Sequence, residues 1–149
     1  GFLQFSKGNK VFNGMRVFSD EGGYNYDNKF IEVLDRWQAP GDKTKQPRAS
    51  FDGISGARLI SSRMIEDGSY LRLQDLTLGY QLPEAFASSM RLSHARVYVR
   101  AENLFTSTDY TGYNPEVNSN GSTANASLAT DFYAYPVART WSFGLQAGW

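Results

Sequence analysis

The residues of this sequence that could carry out chemistry are few and do not cluster. There is one histidine, His94, and no cysteine, which excludes a thiolate metal site and a nucleophilic cysteine. Glu66 and Asp67 are adjacent carboxylates, but neighbours on a strand point to opposite faces and do not form an acid–base pair. Neither a G-x-S-x-G motif nor a phosphate-binding glycine loop is present. The sequence therefore predicts no enzyme, no cofactor and no metal site.

Binding chemistry is concentrated in residues 106–138, a segment without lysine or arginine. Its tyrosine rings could stack on sugar rings, and its short polar side chains could bind hydroxyl groups. The candidates for a ligand- or partner-facing surface are Tyr110, Tyr113, Asn118, Asn120, Asn125 and Tyr133. The alternative is a self-packed loop in which the tyrosines serve as anchors.

The overall composition excludes some partners. Fifteen acidic residues balance fifteen basic ones, so no global field favours nucleic acid. No apolar run reaches the roughly 18 residues that a membrane-spanning helix requires. A strand of a membrane β-barrel would escape that test, because its lipid face appears only at every second residue.

The clearest element is a predicted strand over residues 139–149. Its odd positions from Trp141 to Trp149 are apolar or aromatic, and its even positions from Thr140 to Gly148 are small or polar. This period-two alternation indicates a strand with one apolar and one polar face. The aromatic residues suit a lipid face, and the polar side suits the wall of a wet lumen.

Three more strands are predicted, over about residues 2–12, 67–82 and 96–105. The first is interrupted at Gly8 and Asn9, which indicate either a bulge or a tight turn. In the last of these, small apolar residues alternate with charged ones, which fits a watery lumen or the solvated edge of a soluble sheet. Within 67–82 the alternation changes parity at Gln74 and Asp75, which predicts a β-bulge or, as the alternative, two shorter strands.

The connections between the strands alternate in length. Residues 83–94 are a short turn, whereas about residues 19–66 and 106–138 are long loops. Outer-membrane barrels join short periplasmic turns with longer extracellular loops, so both long segments are predicted to be extracellular. Four strands cannot close a membrane barrel, which needs at least about eight. We therefore expect the chain, which begins at Gly1 without a visible signal peptide, to be part of a longer protein.

A soluble fold remains as an alternative. Many glycan-binding β-sandwich modules are rich in tyrosine, asparagine and glycine, as this sequence is. Such a module would bind glycans on a tyrosine-rich face, and its purified chain would be soluble and monomeric without detergent. A piece of a membrane barrel would instead aggregate, or would require detergent and partner strands.

Five motifs follow one another at residues 34–48, 65–83, 97–106, 110–116 and 135–144. They are a loop in which Trp, then Pro, then Thr, then Pro-Arg occur at intervals, an acidic-Gly-Ser-Tyr-Leu-Arg-Leu strand that closes on Leu-Pro, an Asn-Leu-Phe-Thr strand end, a Tyr-x-x-Tyr-x-Pro-Glu segment, and a Tyr-Pro lead into Arg-Thr-aromatic. In this order they resemble the carboxyl-terminal region of the SusC/RagA family of TonB-linked outer-membrane transporters. Asn114 departs from the pattern, since the family more often has aspartate before Pro-Glu.

The resemblance implies an all-β fold, in which antiparallel strands form the carboxyl-terminal part of a barrel of about 22 strands. It also implies an upstream plug, energy from TonB, a SusD-like surface lipoprotein as a lid, and residence in the bacterial outer membrane. The implied activity is import of large nutrients, oligosaccharides or peptides. For this chain the expected role is barrel wall and extracellular loops.

The resemblance also bears on individual residues. Tyr110, Tyr113 and Tyr135 fall inside family-wide motifs, which favours a role as packing anchors because a family-wide feature does not select one substrate. Residues 118–127 lie outside the motifs and are the better candidates for substrate or partner specificity. Trp149 resembles the carboxyl-terminal aromatic signal that the barrel-assembly machinery reads. The residues that make up this signal are Trp141, Phe143, Leu145 and Trp149.

Overall fold

The computed structural model describes residues 1–20, 28–51, 56, 59–118 and 128–149. They belong to two compact units. The wall unit comprises Gly1–Lys7, Ser69–Asp109 and Pro136–Trp149, and the loop unit comprises Gly8–Gly68 and Tyr110–Tyr135. In chain order the strands and helices are β1 (Phe2–Ser6), β2 (Lys10–Asn13), α1 (Arg16–Ser19), β3 (Ile65–Asp67), β4 (Tyr70–Gln81), α2 (Glu84–Ser89), β5 (His94–Thr108), β6 (Thr130–Asp131) and β7 (Thr140–Gly148). Two 3-10 turns, Ile31–Asp35 and Ser62–Met64, lie in the loop unit.

The wall unit is a four-stranded antiparallel sheet in the order β1-β4-β5-β7. Its three longest strands have 12, 15 and 9 residues. A strand that crosses a bilayer at a tilt needs about 9–11 residues, so these strands are long enough. The helix α2 and a few flanking residues make the short connection between β4 and β5, with Pro83 fixing its start.

The parity change in β4 corresponds to the predicted bulge, and the register shifts there on both sides of β4, toward β5 and toward β1. Leu73 pairs with Phe105 and Asp75 with Glu102, so one residue of β4 faces two of β5. One of those two is Asn103, whose backbone has a φ of 53°. On the other side of β4, Phe2 pairs with Asp75 and Leu3 with Leu73.

The bulge keeps the apolar side chains of the sheet on one face. Phe2 and Leu3 are adjacent on a strand and point to opposite sides, so their partners Asp75 and Leu73 do so as well. Leu73 therefore shares a face with Leu76, although the two are three positions apart. Without the bulge, the apolar residues before and after it would lie on opposite faces.

The loop unit contains a three-stranded sheet in the order β3-β2-β6, with β2 antiparallel to β3 and parallel to β6. A small core forms around Val11, Tyr110 and Val117. Met64, at the end of the second 3-10 turn, is also fully buried. The unit therefore joins segments that are about 50 to 120 positions apart in the sequence.

Two predicted strands were too long. Residues 2–12 are not one strand but β1 and β2, which belong to different sheets, because the chain turns at Gly8 with a φ of 84°. Similarly, residues 65–67 form β3 in the loop unit, and the strand of the wall unit begins at Tyr70. The predicted long loop over 106–138 is shorter at its start, because β5 continues to Thr108, and it contains β6.

Candidate functional site

One face of the wall sheet carries its charges. The guanidinium group of Arg100 pairs with Asp75 at 2.5 Å and with Glu102 at 2.9 Å. Arg96 follows on the same face of β5, opposite Gln146 of β7. Arg100 remains about half exposed in these pairs. A face of partly exposed, mutually paired charges is suited to contact with water rather than lipid.

The other face of the wall sheet is apolar and open. Leu78, Val99 and Phe143 form one cross-strand row, and Tyr80, Val97 and Leu145 form the next. Most of these side chains are exposed, and Phe143 is 81% exposed. Soluble monomers rarely expose a contiguous apolar surface of this kind. The face matches what hydrocarbon requires, and no sheet of the wall unit covers it among the described residues.

The four residues predicted to form an assembly signal lie along one strand. Trp141, Phe143 and Leu145 project from the apolar face of β7, and Trp149 directly follows the strand and is 95% exposed. Among the described residues, β7 pairs only with β5. Its second edge therefore offers backbone hydrogen-bonding groups to another strand. The role in assembly stays a prediction.

Tyr110 is not a ligand-facing residue, so it leaves the list of candidates, and the anchor role that its family-wide motif favours is confirmed. It is only 5% exposed and packs with Val11 and Val117. Its hydroxyl group donates a hydrogen bond to Oδ2 of the fully buried Asp131 at 2.8 Å. Burial, together with this hydrogen bond, raises the pKa of Tyr110 above its ordinary value. Tyr110 is a packing anchor that ties the start of the 110–135 segment to β6.

The other predicted loop residues differ in how far they are exposed. Tyr113 is 67% exposed and Tyr133 is 56% exposed, so both remain candidates for contact with a ligand or partner. Tyr135 is 93% exposed, which does not fit the expected role of an anchor. Asn118 is half-buried. Asn120 and Asn125 lie outside the described residues.

A polar cluster around Glu66 was not predicted as a functional feature. Glu66 Oε1 accepts hydrogen bonds from Arg16 Nε at 2.6 Å and from Asn13 Nδ2 at 3.0 Å. The backbone N–H of Thr111 donates to Glu66 Oε2 at 2.9 Å. Arg16 also pairs with the buried Asp20 at 2.9 Å. The cluster therefore fastens β2, β3 and the segment after β5 at one point.

The electrostatics of this cluster favour its charged form. Burial alone would raise the pKa of Glu66, but hydrogen bonds from Thr111, Arg16 and Asn13 outweigh it and hold the pKa below its ordinary value. Burial acts to lower the pKa of Arg16, and its pairs with Glu66 and Asp20 outweigh burial and raise it. Adjacent Asp67 points away and forms an exposed pair with Lys10 at 2.9 Å.

We expect Glu66→Ala to destabilise the loop unit by about 2 kcal/mol, because it leaves Arg16 and Asn13 without their shared acceptor. The folded-state pKa of Glu66 is depressed, so its stabilising contribution is complete above the unfolded value of about 4.3. That contribution is lost as the pH falls through the lower, folded-state value. Hydrogen exchange at the Thr111 amide of the whole protein, measured against pH, provides the readout.

Asp67→Ala is the matched control, since it removes a carboxylate from the next position that points away from the cluster and pairs with Lys10 at an exposed site. Such pairs contribute at most about 1 kcal/mol, so exchange at Thr111 should change little. Equal effects of the two substitutions would show that the Glu66 cluster does not hold the unit together.

Metal ligation has no support in the part of the chain that the structure describes. His94 lies at the exposed start of β5, where its Nδ1 is 3.2 Å from Ser93 Oγ. No three His, Cys, Asp or Glu side chains among the described residues are placed to hold a metal ion. No helix within those residues is long and apolar enough to cross a membrane.

Known proteins are similar to this chain in backbone structure and in sequence. The RagAB peptide transporter superposes on 97% of the chain with a TM-score of 0.76 and 28% identity. The RagAB peptide importer in its open-open state superposes on 99% with a TM-score of 0.73 and 26% identity. TonB-dependent receptor P3 of Formosa agariphila is 35% identical over 97% of the chain, and receptor P26 of the same organism is 30% identical. The chain is a relative of the RagA-type TonB-dependent receptors.

The match covers a segment of these proteins. The chain spans 14% of the length of receptor P3 and 15% of the RagAB chain. No family model matches it. The resemblance found in the five motifs is nonetheless confirmed, and so are the antiparallel barrel fold and the outer-membrane location. The relatives are receptors and transporters rather than enzymes.

Proposed function

We propose that this chain supplies part of the barrel wall and of the outer loops of a TonB-dependent importer of large nutrients. The observation that carries the proposal is the two-faced sheet of the wall unit. Its exposed apolar face fits lipid, and its opposite face of paired charges fits a water-filled lumen. The relation to TonB-dependent receptors supplies the class of transport.

The segment is best placed at the carboxyl-terminal end of such a barrel, with residues 83–94 on the periplasmic side. The short connection through α2 and the long connections on either side of it support this orientation. The loop unit, which the two long connections form, would then lie outside the cell. Tyr113, Tyr133 and the segment 118–127 are the parts of it that we propose to face ligand or partner.

The partners follow from the same comparison. RagAB is described as a peptide transporter and importer, and its name joins two components. We propose that the present receptor likewise works with a SusD-like surface lipoprotein that covers the outer loops. TonB would act on the plug, and the cargo would be a peptide or an oligosaccharide.

An uptake experiment tests this function. Cells that carry the receptor, lack it, or carry it without functional TonB are given fluorescently labelled peptide and oligosaccharide mixtures. We expect one mixture to enter only when both the receptor and TonB are present, because passive pores do not admit such large cargo. Uptake of a small sugar serves as the control and should be equal in all strains. Equal uptake of every mixture in the three strains would overturn the proposal.

A further inference from the structure

The loop unit contains a cavity of about 660 Å³ between residues 37 and 63. Three of the side chains that line it are cationic, namely Lys45, Arg48 and Arg63. None of its described lining residues is acidic. A concave surface with charge of one sign raises the local concentration of ions of the opposite sign. The cavity is therefore suited to an anionic group.

The loop that forms the cavity holds its shape with its own hydrogen bonds. The backbone N–H of Trp37 donates to the carbonyl of Gln46 at 3.0 Å, and Arg63 donates to Gln46 Oε1 at 3.2 Å. The hydroxyl group of Thr44 hydrogen-bonds to the carbonyl of Asp35. These contacts fix the two sides of the cavity relative to each other before any ligand arrives.

Asp42 is the acid that the structure describes between residues 37 and 63, and it does not pair with the cations of the cavity. Asp42 accepts hydrogen bonds from the backbone N–H groups of Gln38 and Ala39, both at 2.8 Å. These bonds lower the pKa of Asp42 and commit its carboxylate to the turn. Lys45 and Arg48 form neither a hydrogen bond nor an ion pair with any residue that the structure describes. Within the described residues, their charges are therefore not neutralised.

The remaining walls of the cavity are apolar. Trp37, Pro47, Leu59 and Ile60 line it, and the last two are largely exposed. The side chains of Thr44 and Gln46 already bond within the loop, so few uncharged polar groups remain for the hydroxyl groups of a sugar. Cations that no described residue pairs with, set beside an apolar wall, instead match a carboxylate attached to an apolar side chain.

We propose that this cavity binds the free carboxyl end of a peptide, with Arg48 and Lys45 on the carboxylate and Trp37, Leu59 and Ile60 against the last side chain. The arginine fork presents two parallel N–H donors to a carboxylate, which a lysine cannot do. The proposal rests on the proposed import function, because it names the chemical class of cargo that the outer loops would first contact.

The test measures binding to the purified full-length receptor in detergent, without TonB. The probes are the tetrapeptide Ala-Ala-Leu-Leu with a free carboxyl end and the same peptide as its carboxamide. We expect the free acid to bind at least about tenfold more tightly, the difference that one charge-assisted hydrogen bond supplies. The double substitution Lys45→Gln, Arg48→Gln should abolish that preference. Both side chains are exposed, so the substitution should leave the fold unchanged.

Lys43→Gln is the matched control, because Lys43 is an exposed cation of the same loop that does not line the cavity. It should bind both peptides as the unsubstituted receptor does. Equal affinity for acid and carboxamide, or an equal loss in Lys43→Gln, would overturn the proposal. Tighter, Arg48-dependent binding of a sulfated oligosaccharide would assign the cavity to a different cargo and would also overturn it.

The outcome is separable from that of the uptake experiment. TonB-dependent uptake without any acid preference in binding would leave the importer function in place and remove this site. Acid-selective binding without TonB-dependent uptake would keep this site and remove the importer function.

Discussion

Phe143→Arg should destabilise the receptor in a bilayer by about 2–4 kcal/mol, the cost of an arginine on the lipid face near the middle of a barrel strand. Phe143 lies in the middle of β7, is 81% exposed and stands in a row with Leu78 and Val99. If that face contacts lipid, the guanidinium group can reach water only by extending along the strand toward the membrane surface. The readout is the urea midpoint of the receptor in lipid vesicles, with the assembled fraction measured in parallel.

Ser142→Arg provides a stringent comparison, because Ser142 directly precedes Phe143 in β7 and projects to the opposite face. It pairs across the strands with Arg100, so a new arginine there costs up to about 1 kcal/mol by repulsion. Asp75 and Glu102 already attach to Arg100 and reduce that cost. We therefore expect Phe143→Arg to be clearly worse than Ser142→Arg. The reverse order would mean that the charged face, and not the apolar one, contacts lipid.

The features of the fold that could be predicted are those whose signal is local in the sequence. The alternation from Thr140 to Trp149 predicts β7 and both of its faces, because side chains on a strand repeat every two residues. The change of parity at Gln74 and Asp75 predicts the bulge for the same reason. In both cases the residues that carry the signal are neighbours along the chain.

The features that the local sequence leaves open depend on remote partners. β2 pairs with residues 65–67 and 130–131, so nothing in the local sequence separates it from β1 except the turn at Gly8. Tyr110 is buried because Val11 and Asp131 surround it, and both are distant in the chain. A tyrosine in a polar segment is compatible with either a stacking surface or an anchor until those partners are known.

The hydrogen bonds of Glu66 could not be predicted for the same reason, because its partners are distant in the sequence. Arg16 lies 50 positions before Glu66, and Thr111 lies 45 positions after it. The sequence does show that Glu66 and Asp67 point to opposite faces of a strand, and the structure agrees, with Glu66 half-buried and Asp67 exposed. Which of the two faces is buried depends on the three-stranded sheet of the loop unit, and that sheet is assembled from distant segments.

Trp149→Asp should reduce the amount of receptor assembled in the outer membrane several-fold. The aromatic face of β7 ends on Trp149, which directly follows the strand and is 95% exposed. β7 pairs only with β5 in that part of the chain, so its free edge can add to a strand of the assembly machinery. An aspartate at this position removes the apolar contact and introduces a charge that resists entry into lipid.

Two substitutions distinguish an assembly signal from a general need for exposed aromatics. Trp149→Phe keeps an aromatic ring and should preserve assembly. Tyr135→Asp alters an aromatic residue that is 93% exposed but lies outside β7, and it should also preserve assembly. Receptor that does assemble with Trp149→Asp should remain competent in uptake, since Trp149 lies at the end of a wall strand and not in the loop unit. An unchanged outer-membrane level in Trp149→Asp would remove the signal role and leave β7 as a wall strand alone.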